Sequence, residues 1–557
     1  MLRKQLIPSL KRLQSTKSAA SALSSVNPTN TSSSNAFYIT TPIFYPNASP
    51  HLGHLYSTLL SDVRHRWETL QSHQSFFTTG TDEHGLKIQT AALKLNKEPK
   101  QFVDELVQRF LHLDQVAEIK YDRFIRTTDQ DHIASVQHFW NVLLEKGWIY
   151  EGEHKGWYCI SDETFYPESQ IKQSEEGKYY SVESGNEVTL TSEKNYFFKL
   201  SQFQEQLIAH LEANPNFIIP DSRRLDLLKE LQTYKLEDLS ISRPTSRLSW
   251  GIPVPNDPTQ TIYVWIDALV NYLTSVGYPG KLSQFWPATH VIGKDIVRFH
   301  CIYWPSLLMA AGVPLPKQVV VHGHWLSEGC KMSKSKGNVV DPLQMIEYYG
   351  NDAVRIYLCE NSVLNNDGNF NEIGLSHTRD QLIDKFCNLT VRSCGKKFNV
   401  ERAVANIDQF QDLKFTKDVS LNEEYDQIVS KINNLRATLD ENIKTFQYSQ
   451  ATSSFWAVIS DANTFFQKAT PWQPESPLHQ DKIIHLATEV ARISSILIAP
   501  VIPTLSSKVL DRLNVQHRDI DMCQFGKDRE YGQGVNRAGD YPMTKVPFRL
   551  LSDNEKS

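Results

Sequence analysis

Leu52, Leu55, Leu59 and Val63 recur at helical spacing, and the pattern from Ser49 to about Leu70 predicts a helix with one buried stripe. Ser49 suits the cap of that helix and Pro50 its first position. Before it, Phe37-Tyr38-Ile39-Thr40 predicts a short buried strand, followed by a loop containing Pro42, Pro46 and Asn47. A second strand near Phe76 to Thr79 leads into Asp82-Glu83-His84-Gly85. Strand, loop, helix and strand open a doubly wound α/β domain. Between about 128 and 249 the pattern changes to two helical segments and a polar, Gly- and Ser-bearing stretch around Ser174–Asn195, which predicts an inserted domain. The α/β pattern returns with Tyr263–Ile266, Val291–Asp295 and Val319–Val321. Asp341-Pro342 caps another helix, which Gly350 ends. From about 385 the chain reads as helical. Ile428, Ile432, Leu435 and Leu439 form one stripe, and Ile483, Leu486, Val490, Ile493 and Leu497 another, so a helical bundle is expected as a separate domain.

Composition narrows the class. At 557 residues the chain exceeds what one core organises. No apolar run reaches membrane-spanning length; the longest, Ile493 to Leu505, is broken by Pro500 and Pro503. The seven cysteines form no C-x-x-C pair, so reduced thiols are expected. Residues 1–35 carry five positive and no negative charges among many Ser and Thr, the composition of an organellar transit peptide. The net charge of −5 therefore becomes −10 without them, and nucleic acid could be met only through local basic patches.

Two short signatures carry chemistry. In His51-Leu52-Gly53-His54 the histidines are three apart and share a helix face. A helix N-terminus offers free N–H groups and a positive dipole end to phosphate. Gly53 lets an adenine lie against the backbone. Lys331-Met332-Ser333-Lys334-Ser335 places two cationic heads and two hydroxyls between Gly329 and Gly337. Such a loop can close on ATP and stabilise departing pyrophosphate.

In this order the two signatures resemble those of the class I aminoacyl-tRNA synthetases. Tyr45 to His54, Thr81 to Gly85, Trp250 to Pro255, Tyr263 to Ala268, Ile292 to Asp295, His322 to His324 and Pro471-Trp472 resemble the methionyl-tRNA synthetases in particular, over nearly everything from Ala36 to Trp472. The resemblance implies a disordered or mitochondrial targeting segment at 1–35. It implies a Rossmann-like catalytic domain in two halves, 36–127 and 250–327, around a connective insertion at 128–249. A lysine-loop and stem-contact region would follow at 328–384, then an all-α anticodon-binding domain at 385–557.

The same resemblance implies roles. His51, His54, Lys331 and Lys334 would be catalytic, and Lys334 the most rate-critical cation. ATP would meet His51, Gly53, His54, Gly293, Lys294, Asp295, His322, Gly323 and the loop Lys331, Met332, Ser333, Lys334 and Ser335. Asp82 would hold the methionine α-ammonium, while Ile43, Tyr45, Trp265, Ala268, Leu269, Tyr272 and His300 would wall the side chain. A thioether is apolar, polarizable and a weak acceptor, which aromatic walls suit. Leu269 stands where bacterial relatives often carry Pro. Asn388, Arg392 and Trp472 would read the anticodon by hydrogen bonding and stacking. The expected reaction is ATP-dependent ligation of methionine to tRNA(Met) through methionyl-adenylate, with Mg²⁺ accompanying ATP, in the mitochondrial matrix.

Two departures qualify the resemblance. The inserted stretch holds only Cys159, whereas a structural zinc needs four ligands, so none is expected. No oligonucleotide-binding domain is appended, which favours a monomer. A class I ligase for another amino acid and a catalytically inactive tRNA-binding relative remain the alternatives.

Overall fold

The computed structural model describes residues 36–159, 164–166, 168–174, 177–182, 184–327, 329–332, 338–535 and 542–547. Residues 1–35, expected to be a targeting segment, and Ser333, Lys334 and Ser335 lie outside the described residues.

A six-stranded sheet organises the catalytic part. From edge to edge its strands are Arg123–Arg126, Gln74–Thr81, Ala36–Thr40, Thr289–Gly293, Gln318–His322 and Ile218–Ile219, all parallel. Sequence order runs outward from Ala36–Thr40 to Arg123–Arg126 on one side, and from Thr289–Gly293 to Gln318–His322 on the other. A topological switch point therefore lies between them. The edge strand Ile218–Ile219 comes from within the stretch 128–249. That stretch also builds an antiparallel sheet around the long pair Ile149–Cys159 and Glu187–Phe198, together with the helices Gln130–Glu145, Gln204–Ala213 and Asp221–Thr233.

Of the three runs marking the return of the α/β pattern, two are parallel strands and the first starts a helix. Tyr263 is the N-cap of Val264–Thr274, and the strand before it, Asp257–Ile262, belongs to a small antiparallel sheet. A short apolar run does not separate a strand from a helix buried on all sides, and every residue of this helix except Trp265 is buried.

The helix opening on His51-x-Gly53-His54 runs Leu52–Leu70, with His51 as N-cap in place of Ser49. The motif caps itself. The Gly53 N–H donates to His51 Nδ1 at 3.1 Å, and the His51 N–H donates to His54 Nδ1 at 3.0 Å. The helix is buried on more than its apolar stripe, because it lies between the sheet and the helical bundle. Tyr448 donates to Leu60 O (2.7 Å) and Trp67 Nε1 donates to Asp440 (2.9 Å), both across to bundle helices.

Downstream, Asp341 caps Pro342–Tyr349 by accepting from the Leu343 N–H at 2.9 Å, and Gly350 ends that helix at φ +86°. The bundle consists chiefly of Ser420–Lys444, Tyr448–Ala469, Pro477–Ile498 and Pro503–Arg512. Both stripes read from the sequence are buried in it. Among the described residues no helix is long and apolar enough to cross a membrane.

Candidate active site

The carboxyl ends of the parallel strands converge at the switch point, where open α/β sheets bind ligands. Strand Ala36–Thr40 leads to Ile43 and Tyr45, Gln74–Thr81 to Asp82, Thr289–Gly293 to Lys294 and Asp295, and Gln318–His322 to Gly323. The residues drawn from distant stretches of the sequence therefore share one edge of the sheet.

His51 and His54 lie with ring centroids 3.9 Å apart. Phe44 and Phe110 pack edge-on against His54, at 5.0 and 5.4 Å. Burial, reinforced by His51, holds the His54 pKa well below the usual histidine range, so this imidazole is neutral near pH 7. A Cβ on Gly53 would stand 2.9 Å from the His51 ring, so glycine keeps the helix start open.

Beyond the strands Ala36–Thr40 and Gln74–Thr81, the Tyr45 hydroxyl donates to His84 O at 2.8 Å, and Asp82 is buried. His84 Nδ1 lies 2.6 Å from Asp267 Oδ2, and His132 Nε2 2.8 Å from Asp267 Oδ1. Burial works to raise the Asp267 pKa, but the two histidines outweigh it and the carboxyl titrates below its usual range. Trp265 stacks on Phe299 with centroids 3.5 Å apart. Ala268 and Leu269 are buried beside it on the same helix.

The protonation pattern behind that wall follows from its donors. His300 Nδ1 faces Ile296 O at 3.0 Å and must donate, so Nε2 is bare and accepts the Tyr272 hydroxyl at 2.7 Å. Burial lowers the His300 pKa to about 4, which keeps it neutral. His300 sits on a π-helical turn, Phe299–Tyr303, closed by the Trp304 N–H bonding Phe299 O. Such turns often occur at functional sites.

Beyond the strands Thr289–Gly293 and Gln318–His322, Lys294 Nζ grips Asp367 at 2.7 and 2.8 Å, and Asp367 also accepts the His324 N–H at 2.8 Å. His324 Nε2 approaches Asp295 at 3.2 Å. His322 is committed internally: Nδ1 donates to Gly323 O (2.8 Å) and Nε2 accepts from Ser57 on the His51-capped helix (2.8 Å). Burial lowers its pKa to about 4. A Cβ on Gly323 would stand 2.1 Å from Asn366 O. The lysine signature begins on a hairpin. Trp325–Ser327 pairs antiparallel with Cys330–Lys331 through Gly329 at φ +71°, and parallel with Gly368–Phe370. Met332 packs half-buried on the core.

On the bundle, Arg392 donates to Gln467 at 2.7 Å and lies 4.8 Å over the Phe466 ring. Trp472 sits 6.5 Å from the same ring and is 39% exposed. Asn388 opens the helix Asn388–Ser393 that carries Arg392. In the inserted stretch, Cys159 is buried with Tyr166 and Val188. Among the described residues no group of three or more His, Cys, Asp or Glu is placed to hold a metal ion.

Residues 37–394 match the class I tRNA synthetases (M) family, and residues 417–555 match the anticodon binding domain of methionyl tRNA ligase. The mitochondrial methionine–tRNA ligase of Saccharomyces cerevisiae is 50% identical, the alignment covering 93% of this chain and 97% of that protein. That of Xenopus laevis is 41% identical over 88% of each. The chain belongs to the class I methionyl-tRNA synthetases. Mycobacterium tuberculosis methionyl-tRNA synthetase in complex with methionyl-adenylate superposes with a TM-score of 0.79 at 34% identity, over 87% of this chain and 96% of that one.

Within this methionyl-tRNA synthetase fold, Asp367, Asn366, Asp267 and His132 carry no mark of their roles in the sequence. Asp267 lies between Tyr263 and Ala268, but nothing in the sequence links it to His84 and His132. Asp367 and Asn366 sit in a loop with no periodicity. Their relevance comes from partners 73 and 43 residues away, Lys294 and Gly323 respectively.

Proposed function

We propose that this chain ligates L-methionine to tRNA(Met) in two steps, through methionyl-adenylate, with ATP entering as its Mg²⁺ complex. The observation that carries the reading is the convergence of the self-capped His51–His54 helix start, Asp82 and the Lys294–Asp367 pair at one switch point, in a chain half identical to a named methionine–tRNA ligase.

In this reading Asp82 takes the α-ammonium, and the wall of Tyr45, Trp265, Ala268, Leu269, Tyr272 and His300 takes the side chain, with Ile43 at its rim. Because His300 Nε2 already accepts the Tyr272 proton, the pair offers the thioether fixed dipoles rather than a charge. A neutral, largely apolar wall suits a weak acceptor. The methionine carboxylate attacks the α-phosphorus in line, and pyrophosphate departs toward His51, His54 and the lysine loop. The terminal adenosine hydroxyl of tRNA then attacks the mixed anhydride. Neither step needs a strong protein base, so positioning and charge stabilisation dominate.

Lys294, Asp295 and Gly293 take the ribose and phosphate side. His322 and Gly323 shape the adenine side through the backbone, since the His322 ring is already bonded at both nitrogens. Asn388, Arg392 and Trp472 meet the anticodon. The relatives' mitochondrial names and the acid-free composition of residues 1–35 support action in the mitochondrial matrix.

The test is charging of a tRNA(Met) transcript with labelled methionine and ATP, alongside Lys334→Ala. Charging by the wild type, with ATP–pyrophosphate exchange reduced at least about a hundredfold in the variant at unchanged thermal stability, supports the reading. Unaltered exchange in the variant refutes the role given to Lys334, and no charging by the wild type refutes the function.

A further inference from the structure

The loop Asp82–Gly85 is held from three directions. Trp250 Nε1 donates to Glu83 O at 2.6 Å, and the Trp250 carbonyl accepts the Gly85 N–H at 3.1 Å. Arg126 donates to both Glu83 carboxylate oxygens, at 2.6 and 2.9 Å. The third hold is the one that links the loop to the substrate wall. Asp267, 1% exposed, bridges His84 on the loop to His132, fully buried on the helix Gln130–Glu145. Each carboxylate oxygen takes one imidazole, so neither ring can turn without leaving a buried charge short of a donor. The restraint reaches the candidate substrate wall by one covalent step, because His84 O is the acceptor of the Tyr45 hydroxyl and Asp82 is two residues away. Asp267 stands on the same helix as Trp265, Ala268, Leu269 and Tyr272. A single carboxylate thus ties the ammonium-side loop to the side-chain wall.

We infer that Asp267 and His132 are positioning residues for amino-acid binding: bridged through His84, they set the spacing between the Asp82 loop and the wall of the helix Val264–Thr274. The inference rests on the proposed function. Neither residue touches the amino acid, and none of their bonds reaches the Lys294–Asp367 side. Disruption therefore weakens methionine and leaves ATP alone. His132→Gln keeps an N–H donor where Nε2 stood, whereas His132→Leu keeps bulk and loses the donor.

The test is methionine-dependent ATP–pyrophosphate exchange by the full chain, with both KM values measured. His132→Leu and Asp267→Asn are expected to raise the methionine KM about tenfold or more, as for a lost hydrogen bond to a charged group, with the ATP KM within about twofold of wild type. His132→Gln should stay near wild type. Tyr45→Phe deletes only a half-buried hydroxyl and should likewise raise the methionine KM alone, which keeps the inference open to refutation if the Asp267 variant does not fold. Methionine and ATP KM rising together, His132→Leu matching His132→Gln, or an unchanged methionine KM in Tyr45→Phe would overturn it. Absence of methionine-dependent exchange in the wild type would instead sink the functional reading.

Discussion

His322 and Gly323 show how a residue read as a ligand contact can be occupied by the protein itself. Both ring nitrogens of His322 are bonded internally, and Gly323 is glycine because Asn366 O passes where a Cβ would stand. Gly323→Ala is expected to destabilise the chain by about 2 kcal/mol, as overpacking against backbone does. It should also raise the ATP KM, because the displaced loop carries Asp367, the partner of Lys294. A melting temperature and ATP KM equal to wild type would contradict this. At this scale the sequence reading was strongest where a motif is contiguous. His51 and His54 are found capping one helix, as their spacing allows. It was blind to Asp367 and His132, since one acidic or imidazole side chain in an aperiodic loop or on a helix carries no mark of what lies across the fold.

Elements were legible where their periodicity is long. The bundle helices and the strand Gln318–His322 lie where the apolar pattern put them, whereas the strand expected over Val291–Asp295 runs Thr289–Gly293 and gives way to a 3-10 turn at Lys294. The first helix is capped by His51 rather than by Ser49, because histidines acting as their own capping box outcompete a serine two residues upstream. That helix is also more enclosed than one stripe suggested, being covered by the bundle. Enclosure has an electrostatic cost on the neighbouring helix Pro99–Val116. Burial, and then the nearby Asp62 charge, raises the Asp114 pKa to about 8. The folded state therefore holds a proton between about pH 4 and 8 that the unfolded chain has released, and stability from this group falls as pH rises through that window. Asp114→Asn should remove the loss, raising stability at pH 8 by at least about 1 kcal/mol and much less near pH 5. Melting curves at the two pH values check this; an equal shift at both, or a lower melting temperature at pH 8, would contradict it.

For the whole molecule, class and order of parts were legible from the ordered motifs, but the entanglement of the parts was not. Ile218–Ile219 lends a strand to the central sheet from inside the insertion, and two residues show no period. The parallel sheet and the bundle are joined along the His51-capped helix, yet the contacts that tie Arg392, Phe466 and Trp472 together lie among helical-region residues away from that joint. Trp472→Ala is therefore expected to raise the tRNA KM at least about tenfold, consistent with loss of one base stack, while amino-acid activation stays unchanged. Equal loss of both activities would mark Trp472 as a packing residue instead.

The claim on which the rest depends is that the cleft at the switch point activates methionine with ATP. ATP–pyrophosphate exchange by the purified chain, run separately with each of the twenty amino acids, tests it most directly. Exchange supported by methionine well above every other amino acid is the expected result; exchange driven best by another amino acid, or by none, would contradict it.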